Sequence, residues 1–395
     1  MHAKPQIDPS YVERTLTKMI SIPSVLPNEE ALADFIAGEL RSFGIDPEWH
    51  EIAPGRPNVY ASAELGDSGK FLVFSGHSDT VDAASDWETN PFQAVSKGGR
   101  LYGLGAINMK SGLACALGAF KAIVECPGLR GPLGRLGIAI CVDQEGQSTG
   151  AKALLGTPYG RCQAMLHAEH FYGDGPEDYL PLAVTGKVLY RLTVRGRSAH
   201  ACRPHEGGIN AVTDAARIVS ALDELDLRQH PILGKGTVCV LKIDGGYKVY
   251  AVVVPERCEV VITRLTVPGE TISSVEEDMQ RLVERLHLES QVDIDLASPS
   301  YEPYFLDEHD PIVITFKRTY RQVTGREPYF APHRGVVDAN VFSGEGGIPN
   351  VVFGPKGGRH HQSGEYVELA SLVHVTEIYT QTAVSYLSRE ATQSS

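Results

Sequence analysis

Four apolar runs constrain the fold more than anything else in this chain. Phe71-Leu72-Val73-Phe74, Leu136-Gly137-Ile138-Ala139-Ile140-Cys141-Val142, Ala164-Met165-Leu166 and Val351-Val352-Phe353 are continuous rather than alternating. A strand covered on both faces reads this way because neither row of side chains meets water. A helical pattern runs from about Lys110 to Val124 between the first two, and another begins near Gly150. Strands separated by helices predict an α/β fold, with a mostly parallel sheet flanked by helices.

The segment between these runs reads differently. Val188–Val194 alternates, helical patterns follow at Asn210–Leu225 and Ser274–Leu286, and Cys258–Arg264 looks like a second edge strand before Gln291–Leu296. That order predicts a smaller inserted α+β domain of ferredoxin-like type. The expected division is 1–182 and 299–395 for the main domain and 183–298 for the insertion. The opening reads as helices, one after Pro9 and one from Asn28-Glu29-Glu30 to Phe43. The tail Ala391–Ser395 is expected to fray.

Composition excludes several classes. Lys and Arg number 36 against 49 Asp and Glu, a formal charge of −13, so nucleic acid and anionic membranes are not expected partners. No run of 18 apolar residues is present, and the first residues lack an apolar signal core, so a cytoplasmic protein is expected. Seven cysteines without a CxxC pair read as buried, reduced thiols.

Polar residues of ligand type stand at or just beyond the apolar runs. They are His77 and Asp79, Gln144 and Glu145, Glu169, and His361, with Asn108 at the start of the Lys110 helix. In an open α/β sheet that placement is the carboxyl edge, where ligands bind. Each alone has an ordinary explanation: a core histidine, a helix-start acid or a solvated loop. Their shared placement points to a site.

The motifs Ser75-Gly76-His77-Ser78-Asp79-Thr80-Val81, Tyr102-Gly103-Leu104-Gly105-Ala106-Ile107-Asn108-Met109-Lys110, Asp143-Gln144-Glu145-Gly146 and His361-Gln362-Ser363-Gly364-Glu365 resemble those of a zinc-exopeptidase family. That family contains aminoacylase-1, carboxypeptidase G, acetylornithine deacetylase and succinyl-diaminopimelate desuccinylase, and the resemblance spans nearly the whole chain. The Gly196-Arg197-Ser198-Ala199-His200 stretch, followed by Gly208-Ile209-Asn210-Ala211, resembles its lid or dimerisation domain.

The resemblance implies roles. One metal would take His77 and Glu169, a second Glu145 and His361, and the bridging acid falls on Asn108. Asp79 would orient His77, and the water-activating acid falls on Gln144. His200 would stabilise an oxyanion in the other subunit of a homodimer. Arg264 is open to two readings, a holder of substrate carboxylate or a structural ion pair. Asn210 and Gly358 are further candidates for substrate contact, Gly358 within the basic loop Lys356–His360.

Two departures decide the expectation. An amide offers one neutral oxygen where a carboxylate offers two anionic ones, so Asn108 is a poor bridge. Gln144 has no titratable proton to take from water. The expected cofactor is therefore a divalent metal, zinc by resemblance, as one ion, a weakly bound pair or none. Asp143, Glu145, His170 and Asp82 are nearby alternative bases. The expected function is metallopeptidase or amidohydrolase action on an N-acyl amino acid or small peptide. The alternatives are a non-hydrolytic biosynthetic reaction in the same pocket, or a silent amino-acid-binding protein.

Overall fold

The computed structural model describes residues 4–170, 179–249 and 251–388, so the expected fraying of Ala391–Ser395 lies outside the described residues. The chain divides into two compact units, Met1–Leu182 with Leu306–Ala331 and Val337–Ser395, and Ala183–Phe305 with Pro332–Val336. The second unit extends past the expected limit at 298 because Tyr304 and Phe305 pair antiparallel with Val184 and Ala183.

The first unit carries a six-stranded sheet. Its order is Glu48–Ala53, Arg56–Gly66, Pro132–Cys141, Phe71–His77, Ala164–His167 and Asn350–Val352. The last four run parallel, as the continuous apolar runs imply. The first two form an antiparallel edge that joins Pro132–Cys141. Every residue of Phe71–His77 and Ala164–His167 is buried, which explains why neither run alternates.

Helix Ser111–Val124 crosses the core. Counted from Ala106 it is long and apolar enough to cross a membrane, yet nearly all of it is buried within the protein. Gly112 permits its close approach, since a Cβ there would lie 1.7 Å from the Ala168 carbonyl oxygen. The start of this helix is thereby held against the segment that carries Glu169. Helix Glu30–Ser42 starts within the expected Asn28–Glu30 stretch, with Glu29 at the cap position, its side chain making no capping bond and fully buried against Arg56.

The second unit has a four-stranded antiparallel sheet in the order Thr237–Gly245, Arg257–Thr266, Gly186–Arg195, Gln291–Tyr301. With helices Ala211–Ala221 and Ile272–Arg285 between strands, chain order and sheet order together make the ferredoxin-like pattern. The Cys258–Arg264 segment is a central strand rather than the expected edge. Its strict alternation of buried and half-exposed residues reports one covered face, a property of central and edge strands alike. Cysteines also depart from expectation: Cys202 and Cys239 are exposed.

Candidate active site

Burial and charge assemble the site from the carboxyl ends of adjacent strands. His77 closes its strand, fully buried. Its Nδ1 lies 3.0 Å from the Asp79 carbonyl oxygen and 3.4 Å from Asp79 Oδ1. Asp79, itself 1% exposed, accepts backbone N–H groups from Gln144 (3.1 Å) and Glu145 (2.8 Å). One carboxylate thus fixes both the imidazole and the turn that carries Glu145. Burial opposes charge on His77, but the Asp79 hydrogen bond and the fields of Asp79, Glu169 and Glu145 outweigh it and raise it to about 10. Asp79 is lowered below the usual carboxylate range: desolvation pulls the other way, and His77 with the two backbone donors prevails.

Asn108 stands in a kinked π-type turn, Ala106–Lys110, entered through Gly105 at φ +78°, and its own backbone leaves helical geometry at φ −117°, ψ 95°. Glu365, 1% exposed, holds this turn by accepting from the backbone N–H groups of Gly105, Ile107 and Asn108. Burial pushes the Glu365 carboxyl up to about 7 against those three donors. Lys110 anchors the far side through Met19 and Ile22 carbonyls, and its burial draws it down to about 7.

The Asn108 side chain faces two ways. Its Oδ1 is 3.2 Å from His77 Nε2. Its Nδ2 donates to Glu145 Oε1 at 2.5 Å and lies 2.9 Å from His361 Nε2. His361 Nε2 is also 2.9 Å from Glu145 Oε1. One ring nitrogen cannot both accept from Asn108 and donate to Glu145. The Glu145 hydrogen bond is the larger influence on His361 and raises it, ahead of the opposing burial, which favours the proton between His361 and Glu145. His361 reaches this position from a backbone at φ +55°, next to Arg359 at +58°, so the loop is held in a left-handed conformation that non-glycine residues rarely adopt.

These distances test the fit of a metal pair. Two ligand atoms about 2.1 Å from a tetrahedral zinc lie about 3.4 Å apart. The 3.2 Å edge between His77 Nε2 and Asn108 Oδ1 is of that size. The edges joining Asn108 Nδ2, Glu145 and His361 are 2.5 to 2.9 Å, hydrogen-bond spacings. The Nδ2 group also turns hydrogens, not a lone pair, toward the second position. The His77–Asn108 edge has the span of two zinc ligands; the edges at the second position do not. Among the described residues no group of three or more His, Cys, Asp or Glu side chains has the spacing of a metal site, in keeping with an amide in the middle of this one.

Other expected residues fall elsewhere. Gln144 Oε1 is buried without a hydrogen-bond partner. Gly358 pairs with Tyr366 in a short strand leading to His361, and a Cβ there would meet the Tyr366 ring hydroxyl at 2.9 Å. Asp143 is no free base: it bonds Arg56 at 3.0 Å and Thr149 Oγ1 at 2.7 Å, while its carbonyl closes the following turn.

In the second unit, Arg264 is 1% exposed and committed to Glu270 (2.5 Å) and Asp278 (3.0 Å). It is the structural ion pair, and the substrate-carboxylate reading of Arg264 is withdrawn because no face of the guanidinium is open. Asn210 is the N-cap of helix Ala211–Ala221, its Oδ1 accepting from Val212 and Thr213. Its substrate-contact reading is likewise replaced by a cap. Asn210→Ala is expected to cost about 1 kcal/mol by chemical denaturation, with KM unchanged. His200 is exposed, and its Nδ1 accepts from the Cys202 N–H at 3.1 Å, which leaves Nε2 as the nitrogen that carries hydrogen.

Reading the sequence assigns no role to Ser75, His167 or Asp338. His167 Nε2 is 3.1 Å from Glu169 Oε2, and its Nδ1 is 3.0 Å from Ser75 Oγ. Asp338 is fully buried nearby; burial pushes it up to about 6 against the pull of His167 and His77. The signal available for His167 is its place two residues before Glu169.

The model of peptidase family M20/M25/M40 matches residues 73–385. A succinyl-diaminopimelate desuccinylase of Methylobacterium radiotolerans is 29% identical over 390 residues, covering 96% of this chain and 97% of its own. Among solved structures, aminopeptidase PepT of Bacillus cereus superposes with a TM-score of 0.77 at 19% identity, over 96% of this chain and 99% of that one. A Bacillus subtilis dinuclear metal binding peptidase of the M20 family superposes at 0.73 with 16% identity, over 96% and 98%.

Proposed function

Because the chain belongs to peptidase family M20/M25/M40, we propose that it hydrolyses the amide bond of an N-acyl amino acid or small peptide, using one divalent cation rather than two. The observation that carries this reading is the orientation of Asn108, oxygen toward His77 and nitrogen toward Glu145. His77, Asn108 Oδ1 and Glu169 would hold the cation, and zinc suits this nitrogen-and-oxygen set. When bound it would polarise the scissile carbonyl as a Lewis acid.

The chain's own groups supply the rest. Gln144 can orient water or substrate through its amide but cannot carry a proton. Glu145, with no second cation to hold and His361 at 2.9 Å, is the carboxylate that takes the proton from the attacking water and returns it to the leaving amine. His200, with hydrogen on Nε2, is the donor to the oxyanion, supplied across a homodimer formed through the second unit. The desuccinylase relative supports an acyl amino acid as substrate class.

A second reading, a non-hydrolytic reaction of an amino-acid derivative, is favoured by one observation: the bridging position and the water-activating position, both acids in the family motif, are the amides Asn108 and Gln144 here. Amine release from N-acetyl and N-succinyl amino acids and dipeptides, with zinc, cobalt or manganese supplied, separates the two. Slow but catalytic release that Glu145→Gln abolishes is the expected result. No release with any of the three metals would overturn the hydrolytic reading.

A further inference from the structure

The strand register places two rows of side chains at the edge of the sheet. Ser75 is paired directly with His167 across the parallel strands. His77 lies two residues beyond Ser75 and Glu169 two beyond His167, and a period of two brings each pair to the same face. The ladder continues past the strand end, where the Ala168 N–H donates to the Ser75 carbonyl at 2.8 Å, so Glu169 leaves from a fixed backbone.

His167 is wholly enclosed. It is 0% exposed, the Phe342 ring meets it edge-on at 5.9 Å, and both ring nitrogens are used. A carboxylate can only accept, so Nε2 carries the hydrogen toward Glu169 and Nδ1 accepts from the Ser75 hydroxyl. The carboxylate therefore sets the tautomer, and Ser75 anchors the opposite side of the ring, so that the Nε2 hydrogen fixes where the Glu169 carboxylate points. Neither Ser75 nor His167 has a path to substrate.

We propose that Ser75 and His167 are positioning residues that hold Glu169 in the orientation required of a cation ligand. This rests on the reading of Glu169 as a ligand. Because Asn108 contributes only one neutral oxygen, Glu169 supplies the anionic charge at that position, and its orientation counts for more than in a centre rich in acids.

The test is cobalt affinity of the full-length protein, measured by absorbance titration against a chelator, alongside thermal unfolding of the metal-free forms. His167→Leu removes the donor and is expected to weaken affinity by about 10–100-fold, the loss typical when an outer partner of a metal ligand is removed. His167→Gln keeps an N–H near the Nε2 position and is expected to restore most of that loss. Ser75→Ala keeps the fold and the imidazole but removes the bond that anchors Nδ1, with an expected loss of about 10-fold, the lower end of the same range. Where His167→Leu does not fold, Ser75→Ala and His167→Gln carry the comparison. Wild-type affinity in both Ser75→Ala and His167→Leu would overturn the proposal while leaving Glu169 a ligand. A wild-type protein that takes up no cobalt, or Glu169→Gln without effect, would overturn the ligand reading and this proposal with it.

Discussion

The double change Asn108→Asp with Gln144→Glu is expected to raise hydrolysis of an accepted N-acyl amino acid by about 10²–10⁴-fold in kcat, the range that general acid–base help provides. Two effects combine. An aspartate at position 108 would present a second anionic oxygen in place of the Nδ2 group now donating to Glu145. A glutamate at position 144 would stand where a neutral amide now has a buried oxygen without a partner. The singles separate the contributions: Gln144→Glu alone restores a proton carrier, whereas Asn108→Asp alone restores the seat of a second cation. Steady-state kinetics on all four proteins checks this. A double variant no faster than wild type would mean that the amides are not what limits hydrolysis. A native reaction of another kind that the double variant damages would favour the non-hydrolytic reading.

Asp79→Ala is expected to destabilise the protein by about 3–5 kcal/mol, the cost of breaking a buried charged pair by removing one partner. Asp79 is 1% exposed and serves three groups at once: the His77 imidazole and the backbone N–H groups of Gln144 and Glu145. Its removal leaves a buried imidazole without its counter-charge and two N–H groups without an acceptor. Asp79→Asn keeps one acceptor oxygen and is expected to lose less. Chemical denaturation reads both. A loss below about 1 kcal/mol for Asp79→Ala, the scale of a surface pair, would show that the turn at Gln144 and Glu145 is held by something else.

How far the sequence reveals this site depends on the reach of each interaction. His77, Gln144, Glu145 and Glu169 follow or close buried strands, and a continuous apolar run marks where such a strand stops. Their convergence is legible because parallel strands share one carboxyl edge. The contact of His361 with Glu145 is a tertiary fact that no spacing announces. The same holds for Glu365, which resembles a loop acid in sequence and is instead the buried acceptor for the Asn108 turn. Arg264 could be read either way because its two partners, Glu270 and Asp278, are ordinary charged residues until the helix folds over the strand. Asn210 did carry a local signal, a capping residue immediately before a helical pattern, and that signal outweighs the motif around it. Ser75 and His167 meet only through the register of two strands far apart in the chain. The antiparallel edge strands were missed because Arg56–Gly66 mixes apolar and polar residues without a clean period.

The claim on which these expectations converge is that a carboxamide at position 108 leaves room for a single cation. Metal content per chain, determined after equilibration with excess zinc and removal of free ion, tests it most directly. One zinc per chain, rising to two in the protein carrying both Asn108→Asp and Gln144→Glu, is the result expected. Two tightly held zinc ions per chain in the unaltered protein would contradict the account.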